Sequence, residues 1–476
     1  MDIFLIFPVH LFKNIDKLKN KTVYLIEEHR YFTDFKYHKL KLAYHRATLK
    51  SYYDYLLKNK IDVTYFEFKD INDTFYKNIA KYTVTMYDPN DKILMKKILK
   101  NIPNVIVENS LNFLVNEKMI NENKHLFYSK KFNFLNFYKW QRVKLNILMD
   151  NDKPIGGKWT YDTENRKKLP KDIIIPQILQ LNKNKYTKES VIYINNHFKD
   201  NYGSLDNFIY PINHNDSKKW LMSFIKDKFE NFGEYEDAES MKDPFLFHSV
   251  LTPIMNIGLL TDTEVLETVL QYHDKIPIQS FEGFIRQIIG WRNYVYTIYL
   301  LTNIENTNFF NHTNKLNKEI MWKAETKLLP IDNIINKIVD YSYCHHIERL
   351  MYLGNYMLLC MIDPKDVYTI FMEWTIDAYD WVMVANVYGM SQFSCEDIMM
   401  KKPYFSSSNY ILKMSDYKKD NWCKIWDALY YNFINKHEEY LKKNYGTARQ
   451  VYHWNKKSDK EKKEILNIAT GYLNSL

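Results

Sequence analysis

The chain changes its hydrophobic period once, and that change limits the folds open to it. Up to about residue 120, short apolar or β-branched runs (IFLIFP, TVYLIEE, VTYFEF, YTVTMYD and VIVEN) alternate with longer helical stretches such as KYHKLKLAYHRATLKSYYDYLLKN. Strand, helix, strand in repetition is satisfied by a parallel sheet with helices on both faces. After about residue 215 almost every segment has helical spacing. Between the two lies a helix, FNFLNFYKWQRVKLNILMD, and then KPIGGKWTYDTENRKKLPKD, where Pro154, Gly156, Gly157 and Pro170 mark an extended connector. The expected architecture is an α/β domain with a Rossmann-like parallel sheet over 1–125, a linker containing a helix over 126–215, and a large all-α domain over 216–476. There is no internal repeat. No GxGxxG follows the first strand, so an ordinary NAD site is not expected.

Bulk properties narrow the class further. No apolar run reaches the ~18–20 residues that span a bilayer. The opening MDIFLIFPVHLFKNIDK has no basic region before its apolar segment, so it reads as a first strand and not as a signal peptide. Four cysteines without paired spacing fit a reducing compartment and exclude a disulfide scaffold. An intracellular protein is expected, cytoplasmic or wherever its substrate lies, neither secreted nor membrane-bound, and monomeric. The net charge of +9 suits an acidic polymer such as DNA, although part of it follows from a general wealth of Lys, Asn, Ile and Tyr. Aromatics make up 16%, enough for some to stack on bases or relay electrons as well as fill the core.

The stretch YCHHIERLMYLGN sets a chemical problem, because it puts two adjacent histidines on what reads as a buried helix. They could be a hydrogen-bonded pair without chemistry. They could join Cys344 in holding a metal, but helix neighbours point about 100° apart and grip one ion poorly. Or one of them could transfer a proton near neutral pH. Three further segments stand out: FGEYEDAESMKDPFLFHSVLTPIMNIGLL, EGFIRQIIGWRNYV, and DAYDWVMVANVYGMSQF followed by KKPYFSSSNYILKMSDY.

With EEHRYFTDFKYHKLKLAYHR near the N-terminus and KPIGGKWTYDTENRKKLP in the connector, these segments resemble the photolyase/cryptochrome family. The likeness is to the branch of bacterial (6-4) photolyases with an iron–sulfur cluster, and it runs over essentially the whole chain. It implies a light-harvesting pigment, typically a ribityl-lumazine, in the α/β domain, folded FAD in the helical domain, and UV-damaged DNA across a basic surface with its lesion flipped toward the flavin.

The resemblance assigns His248, Ser249 and Thr252 to the flavin phosphates. Hydroxyls at a helix start suit that task, though N-capping alone explains one of them. It assigns flavin and lesion contacts to Glu282, Arg286 and Trp291, and a DNA contact to Arg292. Glu282 also stands four residues before Arg286, the spacing of a plain helical ion pair. Asp377, Asp380, Met383 and Asn386 match the region against the isoalloxazine. His345 and His346 match the branch's paired histidines, with His346 as proton donor to the lesion and His345 orienting it, and Trp322 matches a tryptophan of the electron path. Lys401, Lys402, Lys442 and Lys443 are the expected phosphate contacts.

Departures from the family pattern matter equally. Met383 stands where relatives often carry glutamate, and a thioether cannot exchange protons. Ile370 and Phe371 stand where an electron-relaying tryptophan falls, so the path would run through Trp374, Trp381 or a tyrosine. The cluster ligands fall on Pro330 and Lys418, and only Cys423 matches, so no iron–sulfur cluster is expected. The implied function is light-dependent repair of a pyrimidine photoproduct, the (6-4) lesion by the histidine pair. A cyclobutane-dimer photolyase, a cryptochrome-like photoreceptor and a flavin-free DNA-binding relic are the rivals.

Overall fold

In a computed structural model describing residues 1–476, all five apolar runs are strands. They are β1 (Asp2–Ile6), β2 (Thr22–Ile26), β3 (Val63–Phe66), β4 (Thr83–Tyr87) and β5 (Ile106–Glu108), in the order β3-β2-β1-β4-β5, every neighbouring pair parallel. Ile3 to Ile6 of the central β1 are all buried, as in a sheet covered on both faces. The helix Lys39–Lys58 covers it, and the linker helix Lys185–His197 lies along that helix. The piece between residues 154 and 184 is short turns and extended chain, and from His214 onward only helices follow. One apolar core runs from β1 through Phe229 and Tyr294 to Tyr388, and a second gathers around Trp374, Trp426 and Trp454.

The α/β part is locked to the helical part by buried polar groups. His38 N–H donates to the Glu373 carbonyl (2.7 Å), and Lys41 Nζ donates to the carbonyls of Met372 (3.0 Å) and Ala378 (2.6 Å). Arg30 pairs with Asp91 (2.7 Å) and Asp380 (3.3 Å), and Tyr299 donates to the same Asp380 (2.6 Å). Such charges are tolerated in a core only because each has a counter-charge or acceptor.

Three stretches of the helical part wind as π-helix: Arg286–Arg292, Glu348–Gly354 and Val384–Ser391. Each widens its helix by one residue, a local irregularity frequent at functional sites. Two of them pack together at Gly354, where a Cβ would lie 2.6 Å from the Arg349 carbonyl and 2.9 Å from Ser391 Cβ. Only a hydrogen fits.

Candidate functional site

The histidine pair does not sit inside a helix, as its spacing implied. The helix Leu329–Tyr341 ends at Ser342, which is left-handed (φ +53°), and a new helix over 346–359 starts with His346. His345 therefore occupies the position just before a helix start. Its N–H donates to Glu348 Oε2 (2.9 Å), half of a capping box.

A charge network holds the pair. His345 Nε2 meets Glu239 Oε2 at 2.7 Å, and Lys337 Nζ donates to Glu239 (3.0 Å), Glu348 (2.6 Å) and the Ser240 carbonyl (2.7 Å). Two buried carboxylates face one ammonium, so neutrality needs a second cation. Burial alone would lower the pKa of His345, but Glu348 and Glu239 outweigh it and hold the imidazole above its ordinary value. His346 differs: its side chain is 48% exposed, with Nε2 3.5 Å from Asp237 Oδ1. One histidine is thus buried among carboxylates that favour its protonated form, and the other faces solvent.

His248 stacks on His345 (centroids 4.5 Å apart, planes 19°) and meets His346 edge-on at 5.5 Å. The three imidazoles offer nitrogens within 4.8 Å of one another. Stacked rings carry their lone pairs in near-parallel planes, so His248 and His345 do not aim at one ion. Burial pushes His248 well down, and its Nε2 has no partner. Close by, the buried Lys228 Nζ also lacks one, and burial lowers it to about 8. An unpaired ammonium inside a protein calls for an anion. The turn beside them is strained: Leu246 (φ +43°) and Val250 (φ +51°) are left-handed, which is unusual for a β-branched residue. That turn carries Ser249, whose carbonyl accepts from Trp220 Nε1 (3.0 Å), and leads to Thr252, first residue of the helix Thr252–Asn256. Thr252 Oγ1 donates to Asp377 Oδ2 (2.5 Å), and Arg349 pairs with Asp377 Oδ1 (2.8 Å). His248, Ser249, Thr252, Asp377, His345 and His346 are therefore one connected site.

Glu282 and Arg286 form the helical ion pair that their spacing allows (3.5 Å), inside a larger buried cluster. Glu282 accepts from Tyr138 OH (2.8 Å) and Tyr161 N–H (2.9 Å), and Arg286 reaches Glu236 (3.2 Å), next to Asp237. Trp291 stacks on Phe134 at 3.9 Å. Met383 is buried, and Asn386 Nδ2 donates to the Val382 carbonyl.

Two assignments change. Arg292, expected on the DNA face, is buried: it binds Asp262 (2.7 Å), Asn256 and the Asn112 carbonyl, and lies between Phe113 and Trp381. Its guanidinium is committed to joining the two parts of the chain. Asp380, expected against the flavin ring, spends both oxygens on Arg30, Tyr299 and Tyr368. Lys401 and Lys402 are exposed, as a phosphate contact requires. Trp322 lies 5.1 Å from the buried Trp374 and 4.6 Å from Tyr202.

Cys344, Cys360, Cys395 and Cys423 are all buried and free. Burial pushes the Cys344 thiol up to about 12, so it is a packing group. The crevice at the carboxyl ends of β1 and β4, where the strand order reverses and ligands settle in such sheets, is lined by Val9, Tyr31, Asn90, Asp91 and Trp381 and holds about 10 Å³.

Lys228, Asp237, Glu239, Lys337, Glu348 and Arg349 join the site without having been picked out from the sequence. Glu348 and Arg349 stand in the histidine motif itself, and the His345 to Glu348 spacing is a capping signal.

Residues 4–210 match the family model described as deoxyribodipyrimidine photo-lyase-related protein. A (6-4) photolyase of Agrobacterium fabrum is 37% identical over 355 residues, 71% of this chain and 70% of that one. Among solved structures, a bacterial class III photolyase from Agrobacterium tumefaciens superposes with TM-score 0.61 at 14% identity, covering 100% of this chain and 98% of that one. An archaeal photolyase from Sulfolobus tokodaii with two FAD molecules gives 0.57 at 14%, over 96% and 99%.

Proposed function

The chain belongs to the photolyase-related branch of the photolyase/cryptochrome family, and from that premise we propose that it repairs UV-damaged DNA in light, acting on the (6-4) photoproduct. The observation that carries the lesion assignment is the histidine pair: one imidazole buried and bound to Glu239, the other half-exposed beside it.

FAD fits the residues present. The unpartnered Lys228 Nζ and His248 Nε2, with the Ser249 hydroxyl, would receive its phosphates, while Thr252 holds Asp377, and the Arg349–Asp377 pair would meet the polar edge of its ring. Bound and reduced, the flavin would supply the light-driven electron. The chain's own part is protonic and positional. His346, in reach of solvent and lesion, would give a proton to the lesion as charge develops there. His345, anchored through Nε2 to Glu239 and through its N–H to Glu348, would fix the backbone and ring geometry from which His346 acts. Trp374 and Trp322 would offer an aromatic route from the interior to the surface that bypasses Ile370 and Phe371. The expected cluster-ligand positions hold Pro330 and Lys418, which carry no thiol, so an iron–sulfur cluster is given no role.

One feature favours a second reading, a photoreceptor without repair: the buried Met383 cannot exchange a proton with the flavin. Illumination of the reduced protein with oligonucleotides carrying (6-4) or cyclobutane lesions separates the readings. The (6-4) lesion should disappear, and His346→Ala should slow that by about 10²–10⁴-fold while DNA binding persists. Repair of cyclobutane dimers alone, or of neither lesion, overturns the proposal.

A further inference from the structure

The loop joining the helices Glu438–Lys443 and Ala448–Asn455 presents Tyr445 at 101% exposure, as open to solvent as a residue can be. A single exposed aromatic needs no explanation by itself. This one is held in place from both sides. Asn444 Nδ2 donates to the Lys401 carbonyl (2.9 Å), and its Oδ1 accepts from Gly446 N–H (3.0 Å). Gly446 packs against the Lys402 side chain, whose Cδ would lie 2.6 Å from a Cβ there, so the loop seats directly on the Lys401–Lys402 turn. Thr447, next along, is buried and donates to the Leu441 carbonyl (2.7 Å). The backbone is fixed and the ring is free.

Its surroundings are basic. Lys401, Lys402, Lys442, Lys443 and Arg449 are exposed, and none makes an ion pair. Lysines at the end of a short helix complement its dipole, but that accounts for Lys442 and Lys443 and not for the other three. A chain of neighbours leads from the patch toward His346. Tyr404, two residues beyond Lys402, is close enough to Arg166 and Asp162 to feel their charges. Arg166 Nε is 3.9 Å from Asp237, which meets His346 at 3.5 Å.

We propose that Tyr445 is a stacking platform for an unpaired base of the DNA strand, with the five cations holding the phosphates on either side. The inference rests on the DNA reading above. Flipping a nucleotide out of a duplex leaves neighbouring bases unstacked, and an aromatic ring fixed among cations is the means by which proteins hold such bases without reading their identity.

The test is binding of a labelled, undamaged single-stranded oligonucleotide and of a lesion-bearing duplex, followed by anisotropy over a range of salt. Tyr445→Ala, which touches nothing in the fold, should weaken both by about five- to 140-fold with the salt slope unchanged. Tyr445→Phe should stay within about twofold of wild type. The double variant Lys401→Gln/Lys402→Gln should instead flatten the slope by about one to two. Unchanged affinity in Tyr445→Ala, or an equal loss in Tyr445→Phe, overturns the proposal. If the wild type repairs in light while Tyr445→Ala binds normally, only the platform falls. If Tyr445→Ala binds weakly but the wild type removes no photoproduct, only the repair reading falls. A wild type that binds neither oligonucleotide removes both.

Discussion

Lys228 shows how one residue can carry a functional statement that no motif announced. It stands in a lysine-rich sequence, where nothing distinguishes it from solvated neighbours, and only the fold reveals that its ammonium is buried and unpaired. A charged hydrogen bond to an anion is worth about 1.5–3 kcal/mol, so Lys228→Met should lower flavin affinity by about ten- to 140-fold, read as flavin absorbance per chain after dialysis. Retention near wild type would mean that the phosphates lie elsewhere. Burial lowers Lys228 to about 8, so its grip should weaken as pH rises through that value, while Lys228→Arg holds flavin across the range. In the flavin-free protein the sign reverses. Above about pH 8 the folded form has shed the proton, whereas the unfolded chain keeps it until about 10.4, so stability should rise across that window. Arg292 and Asp380 erred in the opposite direction. Both stand in recognisable segments, but their partners are as far off as Asn112 and Arg30, and local pattern cannot say which way a side chain turns.

Strands and long helices were legible because their signal is local. β1 to β5 each coincide with an apolar or β-branched run, and the helix Lys39–Lys58 with its predicted stretch. The π-helical turns were not, since one inserted residue barely disturbs a short hydrophobic pattern. The break before His346 was hidden for a related reason: Ser342 takes the left-handed turn that glycine or asparagine usually signals. Where Glu348–Gly354 meets Val384–Ser391, packing is tight enough to test. Gly354→Ala should cost about 1–3 kcal/mol by overpacking and lower Tm by about 1–3 °C in a calorimetric scan. It should also disturb Arg349, whose carbonyl the new methyl meets, and with it the flavin spectrum. An unchanged Tm would show that the two segments can spread apart at little cost.

The division into an α/β part and a helical part, visible in the change of period, understates how firmly they are joined. Arg30 is shared by Asp91 and Asp380, one from each part. Arg30→Met should leave two buried carboxylates without their cation and cost about 3–5 kcal/mol. A single unfolding transition in the wild type should broaden or split in the variant, and a unified transition of unchanged midpoint would show that the apolar core alone couples the parts. Lys41 adds a consequence of another kind. Its acceptor Ala378 lies 337 residues further along the chain. At ~5–20 residues per second of synthesis, roughly 15–70 s separate the two on the ribosome. For that interval the nascent α/β part carries cations shaped for partners that do not yet exist, and the helical part, when it arrives, is folded against a surface already made.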